Sequence, residues 1–375
     1  MDLNTLRENL DEIDPKIVEL FEERMDICDK VADYKIATGK KVFDSAREKE
    51  KIESVKKLAN SDFNKTCVEE LFEQIMSMSR KLQYNKLLQS GASGRLPFIE
   101  IDSLYKDNIR VVFQGAEGAY SQAAMFKYFG DDVNNFHVDT FRDAMIAIED
   151  GAADYAVLPI ENSTAGVVNE IYDLLAEYEN YIVGEQIIPI HHCLIGIPGA
   201  SIDDIDTVYS HAQSLMQSAD FLDEHPAWRQ ISMKNNAFAV EKIAKDMDKR
   251  QAAIASEYAA KFYHMEVLQR EINKSQTNST RFIIVTNQKV FLKNASKISI
   301  LLEIGNEVGS LYHVLSHFHY NHINMTKIES RPIEDRNWEY RFFIDLEGNL
   351  NDSAVKNTLR ILREEVKSLR ILGNY

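Results

Sequence analysis

A multidomain chain is predicted, with an all-helical N-terminal domain, a central α/β region and an α+β C-terminal module. Three observations predict it. Apolar residues recur every three or four positions through residues 1–90, helix-period segments alternate with short apolar runs over residues 105–285, and residues 296–375 open an order of strand, helix, strand, strand, helix. At 375 residues and 45% hydrophobic side chains the chain can bury sizeable cores, and about 150 residues per domain agrees with two or three of them.

Charge narrows the functional classes. With 59 acidic against 43 basic side chains, the formal charge of -16 repels phosphate backbones, so no nucleic-acid partner is expected and a small anionic substrate must meet local cations. Met1-Asp2-Leu3-Asn4 lacks an apolar signal core and nowhere do about 18 apolar residues run together, so a cytoplasmic location and no membrane partner are expected. Cys28, Cys67 and Cys193 are odd in number and far apart, which fits reduced thiols better than a disulfide framework or zinc ligands.

The first element follows from Leu3, Leu6, Leu10, Ile13, Ile17, Leu20, Ile27, Val31 and Tyr34, spaced as the seam of one long helix. On apolar spacing alone this is a dimerisation helix. Arg24 interrupts the seam, and a guanidinium left unpaired among apolar side chains is costly, so an anion is expected to meet it. Lys35 lies about three turns further along the same face, whereas Arg7 is rotated about a quarter turn away from Arg24. Ser45-Ala46-Arg47-Glu48 reads as a capping box opening a second helix, with Arg47 in a first turn where the dipole favours anions. A third helix carries Val68, Leu71, Phe72, Ile75, Met76 and Leu82, with Ser79 and Gln83 one turn apart among them.

Over residues 3–88 this pattern resembles the all-helical chorismate mutases, in Leu6-Arg7, Glu23-Arg24, Lys35, Asp44-x-x-Arg47-Glu48 and Ser79-x-x-x-Gln83. The resemblance implies an intertwined homodimer in which Arg7 reaches the site of the other chain. Chorismate rearranges to prephenate within one molecule, which needs no nucleophile, only a clamp on two carboxylates and stabilisation of the charge on the breaking ether oxygen. The resemblance implies Arg7, Arg24 and Arg47 as clamps, Lys35 and Gln83 as donors to the ether oxygen, Glu48 as acceptor from the substrate hydroxyl, and Asp44 and Ser79 as supports.

Gln89-Ser90-Gly91-Ala92-Ser93-Gly94 has the composition of a flexible linker. Beyond it, Ile109 to Phe113 leads into Gln114-Gly115-Ala116-Glu117-Gly118-Ala119-Tyr120-Ser121 and a helix, a strand, glycine turn and helix start suited to anions. As a dinucleotide fingerprint it fails, because the glycine spacing is wrong and no acidic partner follows. A helix from Thr140 to Asp150 precedes the strand Tyr155 to Ile160, which ends in Glu161-Asn162-Ser163-Thr164, a strand end where α/β folds place function. Further strands are expected near Ile182 to Ile187, His192 to Ile197 and Val208 to Ser210. His191-His192 opens an apolar strand and reads as an ordinary core or turn pair. The stretch Gln276 to Phe282 then carries hydroxyl and amide groups straight into the apolar run Phe282-Ile283-Ile284-Val285.

Residues 105–285 resemble the prephenate dehydratases in Gly115-x-x-Gly118-x-x-Ser121, Pro159-Ile160-Glu161-Asn162-Ser163, Ser210-His211-x-Gln213 and Thr280-Arg281-Phe282, with Ala212 where many relatives carry proline. The resemblance implies two α/β lobes around a cleft, the second lobe at about residues 190–265. Prephenate must lose carbon dioxide and its ring hydroxyl together, so its site needs a donor at the leaving hydroxyl and hydrogen bonds for the carboxylates. Thr280 is implied at the hydroxyl, orienting or relaying a proton, with Asn162, Ser210, Gln217 and Ser121 around the substrate. Arg281 holds either a carboxylate or a structural ion pair.

The last module starts at Lys297 to Glu303, continues through a helix from Ser310, strands near Ile323 to Ile328 and Tyr340 to Leu346 and a helix from Asp352, and ends in a short strand at Leu369 to Leu372. It resembles a ferredoxin-like ACT domain, and Glu329-Ser330-Arg331-Pro332 with Asn324 matches the phenylalanine-responsive version; the other effector segment reads Val308-Gly309-Ser310-Leu311, with valine and serine where proline and alanine are customary. L-phenylalanine is therefore the implied effector. His313, His317, His319 and His322 have helical spacing but no nearby acidic or cysteine ligands, and no metal or cofactor is expected. The reading that follows is a bifunctional enzyme taking chorismate to phenylpyruvate under phenylalanine inhibition. Its alternative is a non-catalytic amino-acid-sensing dimer, which leaves Arg24, Arg47, Ser79 and Gln83 unexplained.

Overall fold

The computed structural model describes residues 2–90, 97–104, 107–334 and 336–375. Four helices come first, α1 (Leu3–Asp11), α2 (Asp14–Thr38), α3 (Ser45–Lys56) and α4 (Asp62–Gln89). The expected single helix from Leu3 is thus two, because Pro15 in the first turn of α2 has no N–H and its ring would clash with the carbonyl of Asp11 in a continuous helix. The cap of α3 is also shifted by one residue: Asp44, not Ser45, accepts the Arg47 amide, at 3.0 Å. Of the expected linker, residues 91–94 lie outside the described residues.

The α/β region comprises β1 (Ile99–Ile101), β2 (Arg110–Gln114), α5 (Tyr120–Phe129), β3 (Asn134–Val138), α6 (Phe141–Glu149), β4 (Tyr155–Asn162), β5 (Gly166–Val167), α7 (Asn169–Glu177) and β6 (Tyr181–Pro189). It continues through β7 (Cys193–Gly196), β8 (Thr207–His211), α8 (Ala212–Gln217), α9 (Ala219–Asp223), β9 (Arg229–Met233), α10 (Asn236–Asp246), β10 (Gln251–Ala255), α11 (Glu257–Phe262), β11 (Glu266–Gln269), β12 (Ser279–Thr286) and β13 (Val290–Leu292). The C-terminal part follows as β14 (Lys297–Glu303), α12 (Ser310–Tyr320), β15 (Met325–Pro332), β16 (Tyr340–Glu347), α13 (Ser353–Glu365) and β17 (Ser368–Asn374).

The chain packs as two units. The N-terminal helices join Ile304–Asn324 and Leu350–Leu369 in one; Phe98–Glu303, Met325–Asn349 and Arg370–Tyr375 form the other. In the helical unit Tyr84 is fully buried with Val42 and Ile361, and its hydroxyl donates to Glu364. The apolar stripe of α1 and α2 is left open, with Leu3 61%, Ile17 58% and Leu20 64% exposed.

Besides the two-stranded pair β1-β13, the second unit holds two larger sheets among the described residues. One runs β15-β16-β14-β17-β6-β12-β4-β2-β3, with β5 beside β4, and the other runs β11-β7-β10-β8-β9. They form two α/β lobes, and the chain leaves the first lobe after β6 and returns to it as β12. Phe282, Ile283, Ile284 and Val285 on β12 are each at most 2% exposed, and burying each of these side chains stabilises by about 1.5–3 kcal/mol. Where β17 meets β6, Gly373 pairs with Ile182, and a Cβ there would stand 2.0 Å from the Ile182 carbonyl oxygen, so this join tolerates only glycine.

Candidate active sites

A cleft of about 580 Å³ opens in the second unit, lined among others by Tyr120, Ser121, Asn162, His192, Gln217, Lys234, Asn235 and Thr280. Strand pairing builds its floor. On β12 and β4 Thr280 lies opposite Asn162, and such cross-strand neighbours share a face. Asn162 Nδ2 stands 2.9 Å from Thr280 Oγ1, 3.1 Å from the Ser279 carbonyl and 2.8 Å from Asn278 Oδ1, three acceptors that share its two hydrogens. The glycine loop supplies one wall: Gly118, at φ +85°, brings its Cα so close to Ala259 on α11 that a Cβ would meet that Cα at 3.2 Å. Helix α5 then starts at Ala119, which offers no side-chain cap, so its first-turn amides are open to an anion.

Two of the expected prephenate residues lie elsewhere. Strand alternation turns Arg281 to the face of β12 opposite Thr280 and Phe282. There it pairs with Asp345 at 2.8 Å, Glu185 at 3.2 Å and Glu161 at 3.9 Å, and donates to the Tyr375 hydroxyl at 3.3 Å. Burial works against the guanidinium, yet these acidic and phenolic neighbours outweigh it and hold Arg281 charged, while burial pushes the Tyr375 phenol up. Of the two roles open to Arg281, the structural ion pair is the one observed. Ser210 is fully buried beneath the cleft, donating to the Ile254 carbonyl at 2.6 Å and touching Asn236 Oδ1 at 3.0 Å, so it supports Asn236 rather than facing a ligand. Ser121 Oγ is spent on the Gln114 carbonyl at 2.7 Å. Gln217 does line the cleft, with its amide engaged at both ends, by His192 at 2.9 Å and by Thr164 at 2.8 Å. His192, read from sequence as a core or turn residue, is buried and borders the cleft; only the tertiary fold places it there.

In the helical unit α2, α3 and α4 bring most of the expected mutase residues together. Arg24 Nη1 donates to Ser79 Oγ at 2.5 Å, and among the described residues no carboxylate pairs with it. One turn along α4, Gln83 is 6% exposed with its Oε1 buried and unpartnered among the described residues. Lys35 donates to the Val42 carbonyl at 2.5 Å; burial lowers its ammonium below the ordinary lysine value despite Asp44, Glu48 and Glu364 nearby. Glu48 is tied to Arg80, and Arg80 in turn pairs with Glu365 at 3.0 Å. Arg80 went unremarked in the sequence, where it is one more cation on a helix. Two expected clamps stay outside: Arg7 is exposed on α1, and Arg47 is exposed and paired with Glu50 at 2.7 Å.

Of the implied effector residues, Gly309 sits at φ +81° as the cap of α12, Ser310 Oγ donates to the Gly305 and Glu307 carbonyls at 2.7 and 2.6 Å, Leu311 is half-buried and Asn324 is exposed. Glu329, Ser330, Arg331 and Pro332 lie within β15, paired with β16; Arg331 is bound at 2.6 Å to Asp173. His317 is held by Glu365 at 2.6 Å, and among the described residues no group of three or more His, Cys, Asp or Glu is arranged to hold a metal. No helix among the described residues is long and apolar enough to cross a membrane.

A two-lobed α/β cleft of hydroxyls and amides on a chain that also carries half-buried helical cations defines a two-module enzyme acting on small anionic molecules. Residues 111–290 match the prephenate dehydratase family and residues 6–84 the chorismate mutase type II family. The bifunctional chorismate mutase/prephenate dehydratase of Enterobacter agglomerans is 31% identical over 379 residues, covering 100% of this chain and 95% of that protein. A solved prephenate dehydratase from Arthrobacter aurescens, in complex with L-Phe, is 28% identical with a TM-score of 0.66, covering 71% of this chain and 89% of that one. A structure described as a quorum quenching acylase, GqqA, is 30% identical with the same TM-score of 0.66, covering 71% of this chain and 97% of that one. The chain belongs to the bifunctional chorismate mutase/prephenate dehydratase family. It is an isomerase and a lyase in one polypeptide, rearranging chorismate to prephenate and dehydrating prephenate in the synthesis of phenylalanine.

Proposed function

We propose that the cleft around Thr280 is the dehydratase site and that Arg24, Lys35, Ser79 and Gln83, completed by Arg7 of a second copy, form the mutase site. The observation that carries the first is Asn162 holding Thr280 Oγ1 at the end of paired strands inside the cleft. The ring of prephenate aromatises as the C–C bond to its carboxylate breaks, releasing carbon dioxide, while the C–O bond breaks and the hydroxyl, with one proton taken up, leaves as water. Thr280 lies where a donor to that hydroxyl is needed. With Arg281 engaged elsewhere, the carboxylates face Lys234 and the first-turn amides of α5.

For the mutase, the guanidinium of Arg24, with no paired carboxylate among the described residues, supports a site for an anionic ligand, and the buried Gln83 stands one turn along α4 from its partner Ser79. Burial lowers Lys35 below its usual value while Asp44 and Glu48 act the other way, and its position beside them suits a donor to an ether oxygen. Homodimerisation is supported by the open apolar stripe of α1 and α2. We assign residues 1–90 to the mutase, 105–285 to the dehydratase and 296–375 to an ACT-type regulatory module binding L-phenylalanine, whose strand order β15-β16-β14-β17 is that of a ferredoxin-like sheet. A cytoplasmic location is part of this proposal. Incubating purified protein with chorismate and following prephenate and phenylpyruvate tests the whole; untouched chorismate together with untouched prephenate sinks it. Added L-phenylalanine should lower phenylpyruvate formation, and substitutions at Glu329 to Pro332 should blunt that response.

A further inference from the structure

The cleft contains one buried imidazole that the reaction above does not use. His192 is 1% exposed, and its Nε2 lies 2.9 Å from Gln217 Oε1. From there an unbroken series of hydrogen bonds reaches Thr280. Gln217 Nε2 is 2.8 Å from Thr164 Oγ1, Thr164 Oγ1 is 2.8 Å from Asn162 Oδ1, and Asn162 Nδ2 is 2.9 Å from Thr280 Oγ1.

The direction of each bond is set from the middle of the series. The backbone amides of Thr164 and Ala165 donate to Asn162 Oδ1 at 3.1 and 2.9 Å, and the Ser279 carbonyl accepts from Asn162 Nδ2 at 3.1 Å, so the Asn162 amide has one possible orientation. The carbonyl oxygens of Asn162 and, at 3.3 Å, Asn278 leave the Thr164 hydroxyl only the role of donor toward them. Thr164 must therefore accept from Gln217, whose nitrogen faces it and whose oxygen faces His192. That oxygen demands a hydrogen on His192 Nε2. On the other side of the imidazole the Tyr120 hydroxyl stands at 3.4 Å from Nδ1, a weaker contact that does not compete. At the far end Thr280 Oγ1 accepts from Asn162, which leaves its own proton free to point into the cleft.

We infer that His192 is a positioning residue for the dehydration: as the Nε2–H tautomer it holds Gln217 in the one orientation that leaves the Thr164 proton to Asn162, and so reinforces the arrangement in which Asn162 presents the Thr280 hydroxyl as a donor to the hydroxyl leaving the substrate. This rests on the role of Thr280 proposed above. A flipped Gln217 would set its oxygen against Thr164 and draw the threonine proton away from Asn162, opposing two carbonyl oxygens to one hydrogen. Burial keeps His192 below its ordinary value, so the ring is neutral at neutral pH and its single N–H is committed to Gln217.

The test uses the full-length protein with added prephenate. Thr164 is exposed, so Thr164→Val removes the middle link with little risk to folding. It should lower kcat for prephenate by about tenfold to a hundredfold while KM moves by less than about threefold, and Thr164→Ser should restore turnover. Gln217→Glu, which replaces the donor amide by a carboxylate oxygen, should show the same kcat loss. His192→Leu should lose turnover and His192→Gln, whose amide N–H can reach Gln217, should recover part of it. If Thr164→Val and Gln217→Glu keep wild-type kcat while Thr280→Ala is inactive, the directed series is wrong and the role of Thr280 stands. A change in KM alone likewise overturns it, and an active Thr280→Ala removes the reading on which it is built.

Discussion

In the cleft proposed for dehydration, Thr280, Asn162, Gln217 and His192 all come from strand ends and short helices of a single unit, and hydrogen bonds already hold them in one arrangement. In the helical unit, Arg24 and Gln83 are placed but uncompensated, while Arg7 and Arg47 stand in solvent beside an open apolar stripe. The difference follows from geometry. Adjacent strands lie about 5 Å apart, so two strand ends can converge on a small molecule, whereas the side chains along one helix radiate from its axis and need facing helices to complete a pocket. A sheet-built site can be finished by one chain; the proposed helix-built site is the one that a second copy would complete.

The separateness of the two sites is tested hardest by Thr280→Ala. Loss of the donor at the leaving hydroxyl should lower dehydration by about 10²–10⁴-fold, with prephenate accumulating from chorismate at the wild-type rate. Arg24→Ala is the mirror experiment: mutase turnover should fall by about 10²–10³-fold, while added prephenate is consumed normally. Loss of both activities in either folded variant would contradict two independent sites.

The claim that one site is complete and the other shared is sharpened by Leu20→Asp, which puts a charge on the open stripe. Sedimentation should show a smaller assembly, and mutase activity should fall by about tenfold or more as the second chain's arginine is withdrawn, with dehydratase activity retained. An unchanged assembly would remove the shared site.

Two smaller effects concern what lies behind each site. Arg281→Met leaves Asp345 buried without its cation and should destabilise the protein by about 3 kcal/mol in denaturant unfolding. KM for prephenate should stay within about twofold, whereas a large rise would return Arg281 to the substrate. In the helical unit, burial works to raise the Glu365 carboxyl, but His317 and Arg80 outweigh it and hold the folded value below 4.5. The stabilisation this lends is present above that ordinary value and is lost as pH falls through the depressed one. Unfolding measured across the acid range should therefore be less pH-dependent in Glu365→Gln.

Much of the dehydratase site was legible because its residues cluster in short motifs at strand ends, and a strand's period of two even contained the answer for Arg281: one residue from Thr280, it had to face the other way. For Ser210 the sequence left the side chain's direction open, because a hydroxyl at a strand end looks the same whether it faces a ligand or touches Asn236 from below. His192 was missed because its partner, Gln217, is 25 residues away, and nothing local marks a buried imidazole as ordered for a task. On the helical side, the Arg80 link between Glu48 and Glu365 spans the chain and has no local signature.

By itself the sequence determined the helical N-terminal part, the α/β character of the central region and the family, since each depends on residues close in sequence or on repeated spacing; the break at Pro15 between α1 and α2 was not read from it. The tertiary structure alone decided which hydroxyls reach the cleft, that Arg281 is held by Asp345 and Glu185, and that His192 stands at the end of a directed hydrogen-bond series. Those outcomes depend on register between strands distant in sequence and on the satisfaction of every buried donor and acceptor, and both are properties of the packed chain as a whole.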